Sequence, residues 1–229
     1  MMIGCLFIHG FTGSPYEVQP LADYLQEQTD WKIAVPVLPG HGETLSLKKI
    51  ACTEWLDCAE AALIELLEEC DHVYVVGFSM GGLIAAYLTA RYPVKKLVML
   101  SAAAKYLNPA QVKEDVKDMM KDLREKKLHE NELFLRYREK LLVTPPSAAR
   151  QFQKVVGLAR PSLKKINIPV FIAQGTADGI VPVKSAPYIY RRLSSAERHL
   201  YYSQDAKHLI CHTGNTEELF KKVFTFLSG

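Results

Sequence analysis

No run of apolar residues in this chain of 229 approaches the roughly 20 that a bilayer-spanning helix needs, so no stable membrane insertion is expected. No block of five or six like charges occurs either. Lys and Arg (28) nearly balance Asp and Glu (25), which gives no reason to expect a nucleic-acid partner. The opening residues Met1-Met2-Ile3-Gly4-Cys5 lack the basic segment of a secretory signal, and a cytoplasmic location is expected. Cysteine is scarce as well: Cys5, Cys52, Cys58, Cys70 and Cys211 are odd in number and none stands in a CxxC pair. They read as buried thiols, not as a disulfide framework or a zinc site. Internal repeats and low-complexity segments are absent. What the chain does have is an ordinary globular composition, 48% apolar and 23% charged, enough for one core with an insertion.

Short apolar runs alternate with helical periodicity. Strands are expected at 3–8, 32–38, 72–77, 96–102, 168–174 and 198–203, and helices at about 14–29, 53–70, 80–92, 184–193 and 216–228. Ser14 before Pro15, and Thr53, are the expected caps of the first two helices. Strand and helix in alternation predict a parallel sheet covered on both faces, with its site beyond the carboxyl ends of the strands. The alternation breaks between 105 and 165, where three amphipathic helices are expected, the last capped by Ser147 with Phe152, Val155 and Val156 inward. Residues 105–165 therefore read as a helical cap inserted into a core made of 1–104 and 166–229. The insertion carries 15 Lys and Arg against 8 Asp and Glu, which reads as a solvated basic outer face.

The chemistry begins at Gly77-Phe78-Ser79-Met80-Gly81, set where the apolar run Val73–Val76 meets the helix expected from Met80. A strand-to-helix turn tight enough to present a serine leaves no room for side chains two residues to either side, so both flanks require glycine. A serine hydroxyl is a weak nucleophile near neutral pH and needs a base and a carboxylate to orient that base. Asp178 follows the apolar strand Pro169–Gln174 in Gly175-Thr176-Ala177-Asp178, and His208 follows the last strand in Ser203-Gln204-Asp205-Ala206-Lys207-His208.

With His9-Gly10-Phe11-Thr12-Gly13, Pro39-Gly40-His41-Gly42 and Gly77–Gly82 in place, the chain resembles the α/β-hydrolases over essentially its whole length. It is most similar to the small bacterial carboxylesterases related to monoacylglycerol lipases. The order Ser, Asp, His matches that family. The resemblance implies an α/β-hydrolase fold with about six mostly parallel strands, and Ser79 as nucleophile, His208 as base and then acid, Asp178 as orienting carboxylate. It further implies that Phe11 and Met80 supply backbone N–H groups to an oxyanion hole while their side chains line an acyl pocket. Met119 and Met120 on the cap fit either cap packing or acyl-chain contact. No metal or cofactor is implied, and the expected partner is a small-molecule ester, as for a carboxylic ester hydrolase.

Two departures stand out. The family commonly has strands before the His-Gly loop, which here begins at residue 9, and the residue preceding the histidine, usually small, is Lys207. Asp205 rivals Asp178, and His212 rivals His208, but neither follows a strand in the family's pattern. His9 and His41 are expected to shape loops. Thioester or carbon–carbon bond hydrolysis with the same three residues remains open at this level, as does a non-enzymatic ligand receptor on the same fold.

Overall fold

In the computed structural model, which describes residues 1–105 and 144–229, the expected alternation is realised. The elements are β1 (Ile3–Ile8), α1 (Gln19–Gln28), β2 (Lys32–Ala34), α2 (Cys52–Glu69), β3 (His72–Phe78), α3 (Met80–Thr89), β4 (Lys96–Leu100), α4 (Pro146–Ser162), β5 (Val170–Gly175), α5 (Ser185–Arg192), β6 (Arg198–Ser203) and α6 (Thr216–Ser228). Six strands pair in parallel in the order β2-β1-β3-β4-β5-β6. Strand order reverses between β1 and β3, the position at which parallel sheets open a crevice beyond their carboxyl ends.

Successive residues of a strand point to opposite faces, and each face here has its own core. Leu6, Ile8, Val73, Val75, Leu97, Met99, Val170 and Ile172 pack beneath α2, α3, α4 and α5. Cys5, Phe7, Tyr74, Val76, Phe78, Val98, Leu100 and Phe171 pack beneath α1 and α6. Burial on both faces is why these strands read as unbroken apolar runs. Helix α3 lies between the sheet and α4 and is buried on nearly every side, so it lacks the polar stripe of a surface helix. Helix α4, from the stretch expected as an insertion, buries Ala148, Phe152, Val155, Val156 and Ala159 in the same core.

Several expected boundaries are corrected. The strand expected at 32–38 stops at Ala34, because Pro36 has no N–H to give a ladder and the Leu38 N–H instead donates to His9 Nε2 at 3.1 Å. Ser14 makes no side-chain cap. A 3-10 turn at Pro15–Glu17 comes first and α1 begins at Gln19, since Pro20 is tolerated only in a helix's first turn. Thr53 lies inside α2, whose first turn is held by the Glu54 carboxylate accepting the Ala51 N–H at 2.8 Å and by Gln151 of α4 accepting the Cys52 N–H at 3.2 Å. The cap expected at Ser147 gives way to Pro145, and α4 starts at Pro146, its ring suited to a first helical position. Strand β4 ends at Leu100, not 102, where Ser101 turns the chain at φ 44°.

Burial ranks the residues of α2 for test. Leu63 is fully buried and Ile64 is exposed. Leu63→Ala is expected to cost about 2–5 kcal/mol through lost burial and the cavity left behind. Ile64→Ala is expected to stay within about 0.5 kcal/mol, both read from urea denaturation midpoints.

Candidate active site

The turn from β3 into α3 carries Ser79 at φ 53°, ψ −114°, a left-handed conformation that a non-glycine residue adopts only at a cost. Its backbone is fixed on both sides, with Ser79 N–H donating to Leu100 O at 2.9 Å and Ala103 N–H donating to Ser79 O at 3.3 Å. The flanking glycines are steric requirements. A Cβ on Gly77 would lie 2.3 Å from the Gly81 carbonyl oxygen, and one on Gly81 would lie 2.1 Å from that of Ile8. The first residue of α3 is Met80, whose N–H has no carbonyl four residues back within the helix to bond.

His208 bridges the other two groups. Its Nε2 is 3.1 Å from Ser79 Oγ, and its Nδ1 is 2.9 Å from Asp178 Oδ2. The histidine and carboxylate side chains are both buried, and the Phe78 ring lies 4.9 Å from the imidazole. The loops that bring them together are joined by hydrogen bonds: Asp205 N–H donates to Thr176 Oγ1 at 2.9 Å and Ala177 N–H to Ala206 O at 3.0 Å. Gly175 permits that approach, since a Cβ there would meet the Ala206 oxygen at 2.3 Å.

Asp178 accepts four hydrogen bonds. Oδ1 takes the N–H groups of Ile180 and Val181, each at 2.9 Å, and Oδ2 takes Gln174 Nε2 at 2.8 Å besides His208. Burial is the largest single influence on its acidity and pushes the pKa up. The charge of His208 and the bonds from His208, Val181 and Ile180 together outweigh it, leaving the carboxyl below its ordinary value.

The rivals are occupied elsewhere. Asp205 is exposed, and His212 lies on Tyr16 with ring centroids 4.3 Å apart and its Nε2 2.8 Å from Tyr16 O. His9 Nε2 accepts the Leu38 N–H, so Nδ1 carries the proton given to Gly10 O at 2.9 Å. His41 Nδ1 donates to Pro39 O at 3.0 Å, and Trp55 Nε1 donates to the same oxygen at 3.0 Å. Both histidines thus hold the loops around the crevice. Lys207 is exposed, its backbone N–H given to Thr213 Oγ1. Phe11 is half-buried, stacked on Phe152 of α4 at 5.3 Å and edge-on to Trp55 at 5.8 Å, while Met80 is fully buried. Met119 and Met120 lie outside the described residues.

Two residues at the site escape a motif search. Gln174, fully buried, supports Asp178 from below; an amide ending an otherwise apolar strand is the only signal it leaves. Glu17 is buried with Oε2 accepting the Gly10 N–H at 2.7 Å, so it braces the loop that carries Phe11. An acid two residues after proline looks like an ordinary first-turn helix residue, which conceals that role.

Residues 6–150 match the family model described as alpha/beta hydrolase fold, and the chain belongs to that family. Among curated proteins it is similar to the thermostable monoacylglycerol lipase of Bacillus sp. (strain H-257), at 25% identity over 90% of this chain and 83% of that protein. It is also similar to a carboxylesterase of Bacillus subtilis (strain 168), at 21% identity over 97% and 91%. Among solved structures, one from work on LipS and LipT, two metagenome-derived lipolytic enzymes, shares the fold with a TM-score of 0.81 at 22% identity, covering 99% of this chain and 93% of that one. The monoacylglycerol lipase of Paleococcus ferrophilus does so with a TM-score of 0.74 at 18% identity, over 98% and 93%.

The turn and the carboxylate each generate a test. Gly81→Ala is expected to destabilise by more than about 2 kcal/mol because backbone must move. Gly157→Ala, in mid-α4 with nothing near its Cβ position, is expected to stabilise by about 0.5–1 kcal/mol; paired thermal melts compare them. Because the Asp178 pKa is lowered on folding, its contribution to stability is present above the unfolded value of about 3.9 and is lost as pH falls through the folded one. Melting temperatures of wild type and Asp178→Asn between pH 3 and 7 are expected to differ less at the acid end.

Proposed function

We propose that the protein hydrolyses carboxylic esters through an acyl-enzyme on Ser79. The observation that carries this reading is the single imidazole joining Ser79 Oγ to the Asp178 carboxylate. It is supported by the similarity to proteins named as a monoacylglycerol lipase and a carboxylesterase.

In this mechanism Ser79 Oγ attacks the ester carbonyl as its proton passes to His208 Nε2. Negative charge developing on the carbonyl oxygen is met by the N–H groups of Phe11 and Met80, while Asp178 stabilises the imidazolium and keeps its Nδ1 protonated. Collapse of the tetrahedral intermediate breaks the bond to the alcohol, which leaves with the proton from Nε2. A water then gives its proton to His208, attacks the acyl carbon, and releases the carboxylic acid with Ser79 restored. The substrates are small-molecule esters of short-to-medium acyl chains, monoacylglycerols among them. Residues 105–165 act as a cap over the crevice, with Phe152 and Phe11 forming one apolar wall.

Ser79→Ala is expected to lower kcat on a soluble short-chain ester by about 10⁴- to 10⁶-fold with its fold intact. An organophosphonate that mimics the tetrahedral intermediate should add one equivalent of mass to the wild type and none to Ser79→Ala. Equal labelling of the variant would overturn the assignment of the nucleophile.

A further inference from the structure

Away from Ser79, a concave cleft of about 830 Å³ lies between the end of α4 and helix α5, lined by Lys105, Lys164, Tyr188, Arg191 and Arg192 among others. Three cations converge on the Tyr188 ring: the Arg192 guanidinium at 4.3 Å from its centroid, the Lys105 ammonium at 5.4 Å and the Arg160 guanidinium at 5.7 Å. Two of these side chains spring from fixed backbone or are themselves tethered. Lys105 N–H donates to Ser185 Oγ, which donates in turn to Ala102 O, and Arg160 Nε donates to Ala104 O at 2.6 Å.

Among the described residues none of these charges is paired with a carboxylate. On other faces of the protein Lys32 pairs with Glu69, Lys221 with Glu217 and Lys222 with Glu218. Among the described residues Lys105, Arg160, Lys164, Arg191 and Arg192 form no ion pair. The ring of Tyr188 and the carbonyls ending α5 offset part of the repulsion for their nearest cations. What is left is a concave field of one sign, which draws and concentrates anions. A single carboxylate would neutralise one of the four charges that line the cleft. Phosphate groups take several N–H donors each, and arginine forks match their oxygens in pairs. The depression is open to solvent and small, bounded by α5, the end of α4 and Lys105, which suits a small molecule of a few phosphate groups.

We propose that this cleft binds a phosphorylated small molecule bearing at least two phosphate groups, at a site separate from Ser79. Because Lys105 follows the segment that holds the Ser79 carbonyl through Ala103, and α5 follows the loop of Asp178, such a ligand ties together two elements of the active-site rim.

Pyrophosphate serves as the probe, titrated calorimetrically and in thermal melts against sodium chloride of equal ionic strength. Saturable binding and a melting temperature raised by a few degrees are expected, with inorganic phosphate at least about tenfold weaker. The double variant Arg191→Glu, Arg192→Glu is expected to bind at least about tenfold more weakly, and Lys164→Ala, a milder change outside α5, to weaken binding as well. Lys221→Glu with Lys222→Glu, which makes the same charge change on α6, should bind as the wild type does. Ser79→Ala should also bind undiminished, so failure of the ester-hydrolase reading leaves this result untouched. The proposal is overturned if pyrophosphate has no effect beyond ionic strength, if the α6 variant loses as much as the α5 variant, or if vesicles containing phosphatidylglycerol bind while pyrophosphate does not.

Discussion

The carboxyl edge of the sheet is organised by one close approach, that of the α3 backbone at Gly81 to the carbonyl of Ile8 at the end of β1. Gly77 allows the same turn from the other side, and between them Ser79 is forced into a left-handed conformation. The cost of that conformation is met by the packing of α3, which is enclosed by the sheet on one side and α4 on the other. Burial of an entire helix thus has a purpose at the turn before it: it fixes the Ser79 hydroxyl against His208 at the point where the order of the strands reverses.

A buried charge has to be compensated, and around Asp178 the compensation also sets geometry. Each of its oxygens accepts two hydrogen bonds, so the carboxylate has a single orientation, and the imidazole that shares Oδ2 with Gln174 inherits it. The opposite wall works on the same principle. Glu17 holds Gly10 and His9 holds Leu38, so the loop bearing Phe11 is tied to two other segments, and Trp55 and His41 fix the second of them at Pro39. Four of these eight bonds join residues seven or more apart in sequence.

That distance in sequence also explains what could be read from the chain and what could not. The six strands, the glycine-flanked serine and the two loops bearing Asp178 and His208 each leave a local signature, whether an apolar run, a steric demand for glycine or a carboxyl-end position. The length of β2 does not, because it depends on which acceptor the Leu38 N–H meets, and that acceptor is 29 residues away on His9. The start of α2 depends likewise on Gln151, and no window around Thr53 contains it. Gln174 and Glu17 stand in ordinary strand and helix contexts, and only the assembled loops give them their roles. Met119 and Met120, read as cap residues from helical spacing, fall outside the described residues.

The base of the site is carried by the outermost strand. In the described sheet β6 pairs with β5 alone, and the His208 loop is tied back through Thr176 and Ala206, whereas Ser79 is anchored in the middle, between β1 and β4. Edge strands open at a smaller free-energy cost than central ones, so the imidazole is held beside one of the two strands that open before the centre of the sheet, the other being the three-residue β2. Warming is therefore expected to part base from nucleophile before the two hydrophobic cores open, so that activity is lost at a lower temperature than global structure.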